Sequence, residues 1–171
     1  GGSIKNQATG VKLNGGTFNM TSGTIENCAD GGVLADMAYT DNKANTQAST
    51  ITMTGGTITG CNATWGGGVY VGAGSTFNMS NGSIVGCTAA TTGNTYAMGG
   101  GVYVSQGSTF NMSGGSIVDC KASADGSSAF GGGIRNDGHT TLSGKAEIRG
   151  CQATSDYGAY GGGISDGGTL N

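Results

Sequence analysis

The chain has 171 residues, a formal net charge of −3 at pH 7 and 38 glycines, and it contains no proline. Collagen needs proline and a strict glycine period, and a membrane-spanning helix needs about 20 consecutive apolar residues; the sequence has neither. Seven scattered Lys and Arg residues and a single histidine, His139, lead us to predict no nucleic-acid partner, no membrane insertion in this segment, no metal site and no cofactor.

A phrase of about 12 residues that ends in cysteine recurs along the chain, and such a repeat decides the fold class. In chain order the copies are a partial GGSIKNQ (1–7), TFNMTSGTIENC (17–28), TITMTGGTITGC (50–61), TFNMSNGSIVGC (76–87), TFNMSGGSIVDC (109–120) and a looser TTLSGKAEIRGC (140–151). A second phrase precedes each full copy except the second, as GVKL (10–13), GGGVYV (66–71 and 99–104) and GGGIRN (131–136), and occurs once more as GGGISD (161–166). The central isoleucines of the copies are Ile4, Ile25, Ile58, Ile84, Ile117 and Ile148.

Apolar and polar residues alternate within the phrases with the period of a β-strand, since Phe77 and Met79 share one face and Asn78 lies on the other. Each repeat is therefore predicted to hold three short strands, typified by 69–71, 76–79 and 83–85. The shortest spacing between isoleucines, 21 residues, suffices for one turn of a three-stranded coil. We predict a parallel β-helix in which Val69, Val71, Phe77, Met79 and Ile84 point inward and stack on Val102, Val104, Phe110, Met112 and Ile117.

The repeats differ in length almost entirely between the cysteine and the following GGG, so we expect loops of about ten residues at one corner of the coil. The second coil departs from the pattern. No clean GGGVYV follows Cys28, and both Val33–Ala35 and Ala38–Thr40 are candidates for the first strand of that coil.

GGGVYV followed by TFNMSGGSI resembles the right-handed parallel β-helix repeats of large bacterial and archaeal surface proteins of the adhesin-like and autotransporter type. The resemblance covers nearly the whole chain. It implies an all-β, right-handed, single-stranded parallel β-helix (solenoid) of about five to six coils, which forms a single segment over residues 1–171 of a longer repeat array. It also implies an extracellular location, on the cell surface or secreted. Such solenoids serve as stalks, adhesins and polysaccharide-cleaving enzymes, so function has to be argued from the sites.

The cysteines fall in one column of the predicted stack, which reads Gln7, Cys28, Cys61, Cys87, Cys120 and Cys151. A straight file of side chains does not surround zinc tetrahedrally, and an odd number of cysteines cannot all pair. Stacked Cβ vectors are also a poor starting geometry for a disulfide. We therefore interpret the cysteines as small buried hydrophobic residues with free thiols.

Aromatic residues supply the candidate ligand-binding sites, which are Trp65, Phe130, Tyr160, Tyr70 and Tyr103. The first three lie in file with Met98 before the glycines, where exposed rings would stack on sugars. The alternative is that they fold over the corner and shield the coil edge. Tyr70 and Tyr103 project outward beside Arg135. Such a column is also common on the outer face of a sheet without any ligand, where the arginine stabilises the rings by cation–π contacts.

The outward face of the second strand is the most regular polar surface. Its rows are Thr17, Asn19, Thr21; Thr50, Thr52, Thr54; Thr76, Asn78, Ser80; and Thr109, Asn111, Ser113. Rows of hydroxyls at this spacing resemble the flat threonine arrays of ice-binding solenoids. Stacked Thr and Asn side chains are equally typical of a solvated parallel sheet.

Acidic residues do not converge as a polysaccharide lyase would need, because Glu26 and Asp119 fall at least two coils apart. The remaining cluster is Arg135, Asp137, His139 and Asp166, with Asn136 under Asp166. Turn formation explains the aspartate beside Gly138 as well as acid–base chemistry does.

We therefore predict that the chain is not an enzyme but a structural or adhesive stalk segment of an extracellular bacterial surface protein. It would associate end to end and present its looped corner to a glycan or host surface. One alternative is a ligand-binding face for carbohydrate or ice. The other is a β-helix of the polysaccharide lyase or hydrolase type.

Overall fold

The computed structural model describes residues 1–37 and 47–171. Within these residues the structure contains β-strands, turns and bends but no helix. Parallel strands in stacked coils form a β-solenoid of about five turns. The predicted fold class is therefore confirmed.

The strands follow the repeat closely. In chain order they are β1 (Ser3–Lys5), β2 (Val11–Asn14), β3 (Thr17–Met20), β4 (Thr24–Glu26), β5 (Val33–Asp36), β6 (Thr50–Thr59), β7 (Asn62–Ala63), β8 (Val69–Val71), β9 (Thr76–Val85), β10 (Thr88–Thr92), β11 (Ala97–Met98), β12 (Val102–Val104), β13 (Thr109–Met112), β14 (Ser116–Val118), β15 (Lys121–Asp125), β16 (Ser128–Phe130), β17 (Ile134–Asn136), β18 (His139–Leu142), β19 (Glu147–Arg149), β20 (Gln152–Ser155), β21 (Gly158–Tyr160), β22 (Ile164–Asp166) and β23 (Thr169–Leu170).

Three stacks of parallel strands surround the main core. The first stack is β2, β5, β8, β12, β17 and β22. The second joins β3 and β13 through the first halves of β6 and β9 and continues into β18 and β23, and the third joins β1, β4, the second halves of β6 and β9, β14 and β19. Each strand lies beside its copy in the next coil, as predicted.

The register of the stack matches the repeat at every central isoleucine. The paired residues are Ile4 with Ile25, Ile25 with Ile58, Ile58 with Ile84, Ile84 with Ile117, and Ile117 with Ile148. Inside the coil, Phe77 stacks on Phe110 with ring centroids 4.7 Å apart and an interplanar angle of 12°. Met79 lies beside Met112, and both are buried. The predicted inward stack of the third and fourth coils is confirmed.

The three glycines of GGGVYV have three different physical roles. Gly66 adopts a φ of +64°, which strongly favours glycine. A Cβ on Gly67 would lie 2.3 Å from the Thr88 carbonyl oxygen, so the backbones approach too closely for a side chain. A Cβ on Gly68 would lie 2.6 Å from Ile84 Cγ2, inside the packed corner. The triplet is therefore required by the turn, by the approach of neighbouring coils and by the core.

The second coil takes its first strand from Val33–Asp36. Val33 and Ala35 are fully buried and pair with Val69 and Val71, which places this segment in the first stack without a GGG phrase before it. The other candidate, Ala38–Thr40, lies outside the described residues.

The looped corner contains more regular structure than we expected. The segments between cysteine and GGG in the last three coils each form two further strands that pack against each other, and we call these three pairs the arches: β10 with β11, β15 with β16, and β20 with β21. Successive arches pair in parallel register. Their interior is a second small core of Ala89, Ala97, Ala122, Ala124 and Ala129. Alanine carries too little apolar area to signal a strand in the sequence, which is why these segments resemble loops.

A left-handed turn precedes the cysteine column. The residues at this position have φ between 53° and 66°: Asn6, Asn27, Gly60, Gly86, Asp119 and Gly150. Glycine, asparagine and aspartate are the residues that tolerate this conformation best. Asp119 is therefore explained by backbone geometry.

Ile117→Ala tests the linear stack. Ile117 is fully buried between Ile84 and Ile148, so we expect the substitution to lower the free energy of unfolding by about 2–5 kcal/mol. Ile4→Ala is the matched control, because Ile4 pairs on one side only and is partly exposed, and its cost should be about 1 kcal/mol or less. Denaturant unfolding measures both, and equal losses would contradict the stack.

Candidate functional site

The aromatic column at the arch corner forms as predicted. Trp65 bridges to Met98, which pairs with Phe130, which pairs with Tyr160. The Phe130 and Tyr160 rings stack with centroids 4.9 Å apart and an interplanar angle of 10°. Tyr96 meets the Phe130 ring edge-on at 5.5 Å. The rings therefore form a continuous apolar surface over the arches.

This surface remains open to solvent. Trp65 is 45% exposed and Tyr160 is 52% exposed, although the Trp65 indole N–H donates to the Tyr96 carbonyl oxygen at 3.0 Å. The column thus covers the arch corner and leaves about half of the Trp65 and Tyr160 side chains exposed. The geometry therefore agrees in part with each of the two predicted roles, which are a shield over the coil edge and a surface open to a sugar.

The outward column beside it reads Tyr70, Tyr103, Arg135 and Ser165 in register, as expected. Tyr70 and Tyr103 contact each other at a tilt of 56°, with centroids 5.5 Å apart. The cation–π contact of Arg135 is made with Phe130, at 5.0 Å from the ring centroid. Arg135 thus joins the two aromatic columns by crossing between them.

The same arginine neutralises an acid. Arg135 forms an ion pair with Asp137 and donates to Ser165 Oγ at 2.9 Å. Burial, followed by the neighbouring Asp137 carboxylate, raises the pKa of Tyr103 to about 12. Asp137 is thus held in a charge network on the solenoid wall.

The remaining members of the acidic cluster have structural partners. The Asn136 amide donates to Asp166 Oδ1 at 2.6 Å and to the Thr169 carbonyl oxygen at 3.0 Å, and it accepts from the Thr140 hydroxyl at 2.9 Å. Asn136 and Thr140 are fully buried, so the apolar core becomes polar in the last coils. His139 contacts Asn171 at 3.4 Å instead of a carboxylate. Described residues include no group of three or more His, Cys, Asp or Glu side chains placed to hold a metal ion.

The Thr and Asn surface is regular over two columns and interrupted in the third. Thr76 pairs with Thr109, and Asn111 donates to Asn78 across the coils at 2.9 Å. A register shift then places Thr54 beside Asn81, where the repeat alignment predicts Ser80. The shift interrupts the array of polar side chains between these two coils.

The cysteines stack in one column and have free thiols. Cys87 Sγ lies 3.6 Å from the Val85 carbonyl oxygen and 3.7 Å from that of Ile58. Hydrogen bonding with Cys120 and Cys61, together with burial, raises the pKa of Cys87 and so keeps this thiol protonated. Cys151 is the partly exposed member of the column.

The sequence did not indicate a concave site at the lower edge of the aromatic column. A cleft of about 330 Å³ is lined there by Asp30, Leu34, Asp36, Ala63, Thr64, Trp65 and Tyr70. Its two carboxylates belong to the irregular second coil, which matches the repeat least well. The feature of the sequence that could have indicated this cleft is the segment of 29–32 between Cys28 and the next strand, because it is too short to form an arch.

Comparison with protein-family models, with curated proteins and with solved structures found no match to this chain. In the part of the chain that the structure describes, no helix has the length and apolar character to cross a bilayer. The assignment of function therefore rests on the geometry of the solenoid.

The thiol column gives a test of the buried core. In the native protein we expect a thiol reagent to label Cys151 first and the four buried cysteines slowly until the chain unfolds, because a thiolate must be accessible to react. Mass spectrometry counts the labels with time, and Cys151→Ala should remove the fast phase. Immediate labelling of most cysteines would contradict this arrangement.

Proposed function

We propose that this chain is a non-catalytic stalk segment of an extracellular surface protein, whether on the cell surface or secreted. The observation that supports this proposal is the continuous parallel pairing of the three strand stacks through about five coils. Such a stack buries a continuous core and behaves as a rigid rod in which each coil contacts only its neighbours. Asp119 lies in a left-handed turn and Asp137 in an ion pair, which favours a structural role for these two acids over catalysis.

End-to-end association belongs to the same proposal. The strands of the first coil, β2 and β3, pair on one side only, as do β22 and β23 in the last. A cleft of about 300 Å³ opens beside Ile4, Phe18 and Ile25 at one end of the core, and Leu170 is exposed at the other. Unpaired edges and apolar cross-sections bind further strands, either of another repeat or of a second copy.

Sedimentation of the 171-residue chain tests this association. We expect the mean mass to rise with concentration, and Leu170→Lys to shift the distribution towards monomer, because it places a charge on the open cross-section. Tyr157→Lys is the matched control: Tyr157 is 78% exposed on an arch, so its substitution should leave association unchanged. A strict monomer at high concentration, or equal effects of the two variants, would contradict the proposal.

A second candidate function is carbohydrate binding at the aromatic column. The exposed side chains of Trp65 and Tyr160, which lie at the two ends of the column, support it, because sugar rings pack on exposed aromatic groups. This function is compatible with the stalk, which would then present a glycan-binding side.

A glycan array compares the native chain with a variant in which Trp65, Phe130 and Tyr160 are all changed to alanine. We expect the native chain to bind at least one class of neutral glycan and the variant to lose at least about tenfold in affinity. Tyr157→Ala serves as the control for loss of an exposed ring outside the column. Equal array signals from the native chain and the triple variant would contradict a role for this column. Thermal hysteresis of the native sample tests the ice-binding alternative.

A further inference from the structure

The cleft beside Trp65 results from a step in the length of successive coils. The corner segment of 29–32, before the first strand of the second coil, is short, whereas the segment of 62–65, before the first strand of the third coil, carries β7 and Trp65 over it. Close packing holds the two levels together, since a Cβ on Gly31 would lie 3.8 Å from the Ala63 Cβ and 3.5 Å from the Gly66 carbonyl oxygen. The overhang turns a flat solenoid wall into a concave site.

The two strands of the first stack supply the wall and an acid. Leu34 pairs with Tyr70, and Leu34 and Asp36 project outward on the face opposite to buried Val33 and Ala35. A Cβ built on Gly72 would lie 2.8 Å from Asp36 Oδ1 and 2.9 Å from Tyr70 Cε1. The carboxylate and the edge of the tyrosine ring are therefore close neighbours.

The backbone of Asp36 is fixed on both sides. Its carbonyl oxygen accepts from Ser49 Oγ at 2.5 Å and from the Gly15 N–H at 3.2 Å. Its Oδ1 accepts from the Met37 N–H at 2.8 Å, and the other carboxylate oxygen makes no hydrogen bond with a described residue. One oxygen thus orients the side chain and the other is available to a ligand.

Among the residues that the structure describes, no ion pair compensates the charge of the cleft. Asp30 and Asp36 are its two ionisable acids, and neither belongs to the three ion pairs that join described residues. Lys12 lies in register with Leu34 one coil below but forms no ion pair with either carboxylate. A cation that enters the cleft would therefore meet two carboxylates that no described residue neutralises by an ion pair.

We propose that this cleft binds a small organic cation of the quaternary ammonium class. Aromatic faces attract weakly hydrated cations, and Trp65 and Tyr70 supply two such rings beside the carboxylates. Described residues include no group of three or more His, Cys, Asp or Glu side chains placed to hold a metal ion, which favours an organic cation over a metal ion at this cleft. The volume of about 330 Å³ falls in the range of small-molecule sites. This proposal is independent of the stalk function.

Choline and its neutral isostere 3,3-dimethylbutan-1-ol test the proposal directly, because they share shape and differ in charge. Trp65 is the only tryptophan in the chain, so its fluorescence reports binding at this cleft. We expect choline to cause a saturable change and to bind at least about tenfold more tightly than the isostere, with the difference shrinking as salt increases. Ethanolamine, a strongly hydrated primary ammonium, should bind more weakly than choline.

Calorimetry of variants locates the site. We expect Asp36→Asn to weaken choline binding at least about fivefold and Trp65→Leu at least about tenfold, since the first removes the charge and the second removes the ring while keeping apolar area. Asp125→Asn and Tyr157→Leu, on the arches, are the matched controls and should bind as the native chain does. Trp65 is 45% exposed, so its variant should keep the native strand spectrum and unfolding midpoint.

Three results would overturn the proposal: isostere affinity within about twofold of choline, unchanged choline binding in both Asp36→Asn and Asp30→Asn, or no binding at about 20 mM choline in low salt. The first would indicate a merely apolar cleft. The second would place the bound cation elsewhere on the chain. Loss of end-to-end association has no bearing on any of these measurements, so the failures of the two proposals are distinguishable.

Discussion

Every feature of this protein depends on backbone hydrogen bonding between successive coils at the strand spacing of about 4.8 Å. At this spacing each residue lies directly over its copy, so a side chain that packs well in one coil also packs well at the same position of the next coil. Phe77 stacks on Phe110 and Ile84 on Ile117 because backbone pairing places each of them beside its copy in the next coil. The same spacing excludes side chains where coils nearly touch, which is why Gly67 and its copies have no Cβ.

The stacking also explains why polar residues cluster in this protein. Asp119 occupies a left-handed turn, and Asn136 and Thr140 satisfy each other inside the core of the last coils. Repetition places identical groups in columns, and columns of like residues do not bring an acid, a base and a nucleophile together. Sites with mixed chemistry arise where the repeat is broken, because only there do unlike columns meet.

The cleft at Trp65 is such a break. A short corner below an extended one brings the acids of the second coil under an aromatic overhang, and the aromatic column continues from there over the arches. The regular coils therefore provide rigidity, and differences in corner length provide concave surfaces. A solenoid of this kind can vary its corners without altering its core.

The sequence by itself determined the solenoid, its register and its core, because the repeated phrases fix which residues stack and alternation fixes which of them point inward. The isoleucine pairs and the buried cysteine column were predictable for this reason. Only the tertiary structure decided the arches, since Ala89 and Ala122 are too small to mark a strand until neighbouring copies pair. It also decided that Arg135 lies over Phe130 and that Asp36 lies beside Tyr70. These contacts join residues of different columns, and their positions depend on how each corner folds back over the coil, which no repeat period encodes.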